Sequence, residues 1–556
     1  MILSHRFQTA LLGVVILLAL PACPLAQDQI SREDAAAILF SNHFAFTDSG
    51  EPVLSVSIMD DQDTIAFSSK KGFIFQPSGP SGPTITVKEG GTWTARLKEG
   101  KPAVLAYRVV LDKVPTREFE ARRNSVKTWK ERKVETTSME LGTVFSFEGT
   151  VFDSRVTLVC AKELFKDRKE ARKYAKSLSK QYNCEATIEP ILDTRPSGTI
   201  EVSDAKGTFL FKAANALWFQ PLDNDLTIED VEYGRGYNWH GRQTRRYAGQ
   251  FYLAVGQTGK LAVVNVLPSE KLLKGLVPAE IYASSPKEAL KAQAIAARNE
   301  LFSKIGHRHL ADPYLLCSQQ HCQVYKGLSA ERSASSKAVD DTRGMLLFNG
   351  TGRLADCRYH STCGGHTEDA HEAWPGVDSP ELKGRHTSVK SQADPFGRVP
   401  DESIDRFITS PPVSYCSKSS KSGNTFRWTK TVDAAKLNAL VKERFGLKRV
   451  EAIDVLHRGV SGRANHIRLS GGGKTIEVKG ELVVRKLFFG LRSSMFIVEP
   501  VKSSDGTVSQ WRFEGGGFGH GVGMCQLGAA EMARSGKTFK EILQYYYRQV
   551  RVQRIY

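Results

Sequence analysis

Beyond its first 26 residues the chain has no apolar run approaching eighteen residues, so that part holds no candidate helical membrane span. It has no long low-complexity tract, which excludes a largely disordered chain. No internal repeat is visible, which excludes a repeat array. No Gly-Lys-Ser/Thr occurs in its glycine-rich segment Gly515–Gly528, which excludes a phosphate-binding loop of the P-loop kind there. Acidic residues are in deficit, with 60 Asp+Glu against 77 Lys+Arg and a formal net charge of +17. That deficit suits a polyanionic partner such as nucleic acid, an anionic membrane surface or an acidic cell-wall polymer, and does not choose among them. The densest basic run, Arg122 to Lys133, reads as a solvated helix face or loop. No nucleic-acid-binding motif is present, which argues against the first partner.

What is there is globular. The 556 residues are 41% hydrophobic and 25% charged, too long for one core and expected to form two to four domains. Ala10 to Ala22 is a short apolar run after Arg6, with the length of a signal-peptide core. It ends in Leu20-Pro21-Ala22-Cys23, which resembles a bacterial lipobox whose cysteine carries lipid. Cleavage after Ala26 is the competing reading. Either way the expectation is an exported, periplasmic or cell-envelope protein, membrane-anchored if Cys23 is lipidated. Eight further cysteines remain, an even number suited to an oxidising compartment. Short spacings suggest Cys317–Cys322 and Cys357–Cys363, leaving Cys160–Cys184 and Cys416–Cys525, one of 105 pairings.

The expected architecture is α+β and multidomain. Residues 1–26 are the leader. Residues 27–150 read as a β-rich domain, with strand-like runs at Ser55–Phe75 and Pro102–Leu111 separated by Pro/Gly-rich turns. Residues 151–195 read strand, helix, strand, with Ala171, Tyr174, Ala175 and Leu178 on one face of a helix over Asp167–Tyr182. This unit resembles the sporulation-related repeat (SPOR) domain, and the resemblance implies binding to glycan strands. Residues 196–556 follow as a mixed domain that opens with strands at Thr199–Val202, Thr208–Phe211, Gln250–Val255 and Leu261–Val266.

One carboxylate stands out. Glu280 lies in Val277-Pro278-Ala279-Glu280-Ile281, an apolar turn in which burial would favour the protonated form. Such a group can act as a general acid near neutral pH. It is expected in irregular chain one turn before a helix. Ser285-Pro286-Lys287-Glu288 signals that helix as a capping box with proline at its first position. Leu290, Ala294, Ala297 and Leu301 line one face, Gly306 is the stop, and Arg298 lies beside the stripe, within reach of a cleft edge.

Five ordered blocks carry a family resemblance. They are Asn265–Glu270 with Lys274–Glu280, Glu288–Arg298, Cys322–Gly327, His360–Thr367, and Gly517–Ala529 with Ile542–Tyr547. Together they resemble the stage II sporulation protein D (SpoIID) family over roughly residues 260–556. The resemblance implies a peptidoglycan lytic transglycosylase acting on glycan strands, denuded of stem peptides in characterised relatives. It implies Glu280 as catalytic acid/base and Arg298 as important for activity, in contact with substrate or orienting Glu280. Gln293, Tyr325 and His520 are expected to contact the glycan. Other family members modify a cell-wall amidase, so a non-catalytic wall-binding role with an amidase partner is the alternative. The chemistry needs no cofactor.

His360, His366 and His371 lie within twelve residues, beside Glu372. Their donors suit zinc, and the resemblance implies a structural zinc here in some members. His366 and Glu372 stand where relatives carry cysteine. A Cys357–Cys363 disulfide, or histidines lining a cleft, are the competing readings.

Overall fold

The computed structural model describes residues 39–40 and 45–556, save 80–81, 148–149, 208–209, 237–238, 378 and 390–396. The leader and Cys23 lie outside the described residues. No helix among the described residues is long and apolar enough to cross a membrane. The fold is α+β, built from several mostly antiparallel sheets with helices between them.

The sheets cross the boundaries expected at residues 150 and 195. Strand Pro52–Gln62 pairs antiparallel with Leu261–Pro268, the strand that feeds Glu280's helix. Gln250–Val255 and Ala216–Pro221 extend the same sheet. A second sheet mixes Thr64–Ser69 and Gly91–Lys101 with Ser197–Asp204, Leu226–Tyr233 and Gly241–Tyr247. Residues 45–101 and 197–268 therefore share one core, with Phe67, Phe73, Phe75, Phe219 and Phe251 at its centre. Alternating patterns specify strands, but not which strand each one meets.

The unit expected over 151–195 is larger and starts earlier. Strands Val104–Pro115, Thr136–Leu141, Val156–Phe165 and Thr187–Thr194 form one antiparallel sheet, with helices Phe119–Glu131 and Arg168–Tyr182 between them in sequence. The chain order is βαββαβ and the spatial order is fourth, first, third, second. The basic run Arg122–Lys133 falls largely in the first of these helices. Asp167 caps the second, accepting from the N–H groups of Lys169 at 2.8 Å and Glu170 at 2.9 Å. Ala171, Ala175 and Leu178 are buried against the sheet, as their spacing predicts.

The helix Lys287–Lys304 joins two cores. Leu290, Ala294, Ala297 and Leu301 face the large N-terminal core. Ala289, Ala292, Ile295 and Ala296 face a second core containing Met524, Leu527, Ile542 and Tyr546. Residues 292–302 of this helix are buried without a break, the polar Gln293, Arg298, Asn299 and Glu300 included. The predicted capping box does not form: the helix begins at Lys287 with no side-chain cap bond. Glu288 Oε2 instead accepts from the Phe539 N–H at 2.8 Å, satisfying one of the orphan donors of the Phe539–Tyr546 helix. Two short pairings hold the C-terminal part in place. Arg551–Arg554 pairs with Met345–Phe348, and Met524–Cys525 runs parallel to Tyr359–His360.

Candidate active site

Glu280 is the last residue of a helix, Ser269–Glu280, and not part of irregular chain. Gly275 and Pro278 mask that helix in the sequence, since both disfavour helix interiors. Yet Leu272, Leu273, Leu276 and Val277 are buried at helical spacing. Gly275 is required by contact: a Cβ there would stand 2.7 Å from the Tyr325 ring and 2.8 Å from the Gly327 carbonyl oxygen. The Lys326 N–H donates to the Gly275 carbonyl at 3.2 Å. Segment Cys322–Gly327 is thereby strapped against the helix.

That strap holds the carboxylate. The Val324 N–H donates to Glu280 Oε1 at 2.7 Å. Behind it, Gln526 Nε2 donates to the Glu280 carbonyl at 3.0 Å and to Gln293 Oε1 at 3.1 Å. Burial pushes the Glu280 carboxyl above its ordinary value, opposed by the Val324 N–H and the Lys304 and Lys326 ammoniums, and reinforced by Glu300. A cleft of about 280 Å³ opens at this helix end, lined by Arg245, Pro278, Ala279, Ala283, Lys326 and Arg332 among others. None of its lining residues is acidic. Tyr282 is 58% exposed just past the acid, with the Lys421 ammonium 4.2 Å above its ring.

Three expected contacts are placed elsewhere. Arg298 is fully buried and pairs with Glu270, Nε to Oε1 at 2.8 Å and Nη2 to Oε2 at 2.6 Å. Glu270 and Glu280 stand ten residues apart on one helix, about 15 Å along its axis. Arg298 thus reaches neither the cleft edge nor the acid. Burial alone would raise Glu270, but the Arg298 guanidinium and Tyr556 hydroxyl hold it below the ordinary carboxylate range. Tyr325 is buried and donates its hydroxyl to Asn265 Oδ1 at 2.8 Å. Gln293 is fully buried and braces Gln526. These last two build the acid's support, not a sugar-facing surface. His520 is part-exposed, packed 4.8 Å from Trp374 and 5.6 Å from His360, ring centroid to ring centroid.

The expected zinc triad is not assembled. Both ring nitrogens of His366 face backbone carbonyls, Thr367 at 2.5 Å and Gly397 at 2.7 Å. His371 is 50% exposed beside Asp369 and Glu372. The eight cysteines among the described residues are unbridged, so none of the four expected disulfides is present. Instead, the donor atoms of His360, Cys363 and Cys525 lie within 4.8 Å of one another, and Cys416 Sγ is 3.5 Å from Cys363 Sγ. His360 binds the Val522 carbonyl through Nδ1 at 3.0 Å. Its buried Nε2 has no partner among the described residues.

This Cys₃His set fits a structural zinc, with the Val522 carbonyl fixing the ring orientation. Burial would raise the Cys363 thiol, yet the sulfurs of Cys416 and Cys525, Thr387 and the Gly365 N–H hold it well below normal. A zinc here would brace Cys525, whose neighbour Gln526 holds Glu280. The glycine-rich loop wraps this region. A Cβ on Gly521 would meet the Arg463 guanidinium carbon at 2.4 Å, and one on Gly523 the Arg358 carbonyl oxygen at 2.0 Å.

Val324 and Gln526 lie inside the five sequence blocks, but their residue types carry no signal of a role beside Glu280. Lys326 lies there too. Glu270 closes the first run of the opening block. Tyr282 and Cys416 had no local signal for these positions.

Fold and site define an α+β protein that presents one part-buried, protonation-prone carboxylate at a helix end beside a basic cleft. Residues 257–348 match the family described as stage II sporulation protein. Residues 368–523 match a domain of unknown function, DUF8618. Stage II sporulation protein D of Bacillus subtilis is 30% identical over 311 residues, covering 53% of this chain and 77% of that protein. The amidase enhancer of the same organism is 28% identical over 311 residues, covering 50% of this chain but 39% of that protein. An uncharacterised protein of Brachyspira hyodysenteriae is 29% identical over 289 residues, covering 52% of this chain and 67% of that protein. The chain belongs to the stage II sporulation protein D family.

Proposed function

We propose that the chain is a peptidoglycan lytic transglycosylase with Glu280 as its single acid/base. The observation that carries this reading is the state of Glu280: held in place by the Val324 N–H, raised toward neutrality by burial, and adjoining a cleft. Glu280 protonates the glycosidic oxygen as the bond to the muramic acid anomeric carbon breaks. The resulting carboxylate accepts the proton of that sugar's own C6 hydroxyl as its oxygen attacks the anomeric carbon. The product is a 1,6-anhydro end and no water is consumed. Intramolecular attack has a high effective molarity, so a second carboxylate is not needed.

The basic lining favours glycan denuded of stem peptides, because removing the peptide frees a lactyl carboxylate that Lys326 and Arg332 can pair. The exposed Tyr282 ring offers an apolar face to a sugar. The working location is the cell envelope, reached through the leader at Ala10–Ala22 with lipid on Cys23.

The test is digestion of purified denuded glycan strands. New ends lighter than hydrolytic ends by one water mark the anhydro product. Glu280→Gln keeps an oxygen for the Val324 N–H and is expected to lower the rate by about 10²- to 10⁴-fold with little loss of stability. Full activity of that variant defeats the assignment.

The resemblance to an amidase enhancer supports a second reading, a wall-binding modulator of an amidase. It predicts no glycan cleavage by the chain alone, and stimulation of a purified amidase that Glu280→Gln leaves intact.

A further inference from the structure

The four-stranded unit of residues 104–194 carries the helices Phe119–Glu131 and Arg168–Tyr182 on one face of its sheet. Val126 and Trp129 of the first helix share a core with Ala171, Ala175 and Leu178 of the second. The Trp129 and Tyr182 rings meet edge to face at 5.5 Å, and the Tyr182 hydroxyl donates to the Arg132 carbonyl at 3.0 Å. The two helices are thereby fixed side by side.

Their outer sides are basic. Residues 119–133 and 168–182 hold twelve Lys/Arg against three Asp/Glu, nine of the chain's net +17. Ten of those twelve cations are exposed. At about 100° per residue, Lys169, Lys173, Lys176 and Lys180 fall opposite the buried Ala171, Ala175 and Leu178. They make a stripe about 17 Å long. On the first helix, Arg123 and Lys127 lie on the side away from the buried Trp129. Lys127 pairs with Glu131 at 4.0 Å, both well exposed, a contact of little energetic weight. The basic run Arg122–Lys133 taken alone is a solvated helix face; the fold lays a second basic helix beside it.

Three observations favour a lipid surface over a polymer strand as the partner. The cations cover two adjacent helices and so spread in two dimensions, whereas a strand is matched by one row. Phe119, which opens the first helix, is 66% exposed, with the Arg122 guanidinium 5.1 Å from its ring. An exposed aromatic among cations gains where its ring can sit at a headgroup boundary. Finally, Ala45 opens the first described strand 22 residues after Cys23, at most about 75 Å of chain. Lipid on Cys23, as proposed above, holds the folded part that close to a membrane.

We propose that the paired helices Phe119–Glu131 and Arg168–Tyr182 form a docking surface for an anionic phospholipid membrane. Their apolar sides are committed to the sheet, so the contact is electrostatic, ammonium and guanidinium groups on phosphate headgroups, with Phe119 adding an apolar contact.

The test is co-sedimentation with vesicles of the chain from residue 27, which lacks the leader and keeps every described residue. Vesicles of phosphatidylglycerol mixed with phosphatidylcholine should bind it, and phosphatidylcholine alone should not. Binding should be lost at about 1 M salt, where the screening length is about 3 Å. Each cation near an anionic surface strengthens binding roughly fivefold. Lys169→Gln, Lys173→Gln, Lys176→Gln and Lys180→Gln together should therefore weaken it by about 10²- to 10³-fold. All four side chains are exposed, so the thermal midpoint should not move. Lys169→Arg, Lys173→Arg, Lys176→Arg and Lys180→Arg together should bind like wild type. Equal binding to neutral vesicles, or unaltered affinity in the glutamine variant, overturns the proposal. So does lysine-dependent sedimentation with denuded glycan strands but not with anionic vesicles, which makes a wall polymer the occupant. Glycan cleavage enters none of these measurements.

Discussion

Arg298 offers the sharpest separation of structure from chemistry. Its guanidinium pairs through two nitrogens with Glu270, and a third nitrogen donates to the Met345 carbonyl at 2.9 Å. Replacing it with methionine leaves a nearly buried carboxylate with the Tyr556 hydroxyl at 2.7 Å and the Gly344 N–H at 3.3 Å. Breaking one side of a buried pair costs about 3–5 kcal/mol, and those two remaining donors place this case at about 3 kcal/mol. The direct effect on Glu280 is far smaller. One charge at about 15 Å contributes about 1 kcal/mol at an effective dielectric of 20, and Glu270 cancels most of it. Arg298→Met should therefore lower stability in denaturant by about 3 kcal/mol. Activity per folded molecule should stay within about tenfold of wild type. Adding Glu270→Gln should recover much of the stability, because two neutral partners leave no stranded charge. A variant with wild-type stability and no activity would refute this reasoning and return Arg298 to the substrate.

Two further predictions concern pH. A general acid works only while protonated, so glycan cleavage should fall as pH rises through the raised Glu280 value. The Lys326 ammonium favours the carboxylate; Lys326→Met should move that falling limb to higher pH, and an unmoved or lowered limb counts against the assignment. Glu368 is buried, and burial pushes it up to about 7, partly offset by Arg463 and Ser461. Its folded value lies above its unfolded one, so the folded state holds the proton more tightly and stability falls between about pH 4.5 and 7. Glu368→Gln should flatten that fall by about 3 kcal/mol, read from denaturation midpoints across this range. Parallel slopes for the two proteins would remove Glu368 as the cause.

Local patterns carried much of this molecule. The nearly continuous apolar strand at Leu261–Pro268 and the Asp167-capped helix follow from composition and capping chemistry alone. The long alanine-rich helix does too, apart from its start. The apolar neighbours of Glu280 announced a carboxyl displaced toward neutrality. Its helix was hidden because Gly275 and Pro278 both read as helix breakers, although Gly275 answers to a tertiary demand, the Tyr325 ring packed against it. The capping box failed for a related reason: Glu288 is claimed by a helix 251 residues further on.

The sequence by itself determined which residues could donate protons or bind metal, because those capacities belong to side-chain types and their near neighbours. Only the tertiary structure decided which of them meet. It turned Arg298 inward to Glu270, separated His366 and His371 from His360, and brought Cys416 and Cys525 to Cys363. Such partnerships join segments tens to hundreds of residues apart. They are fixed by which apolar surfaces the whole chain can bury at once, and short-range spacing contains no record of that choice.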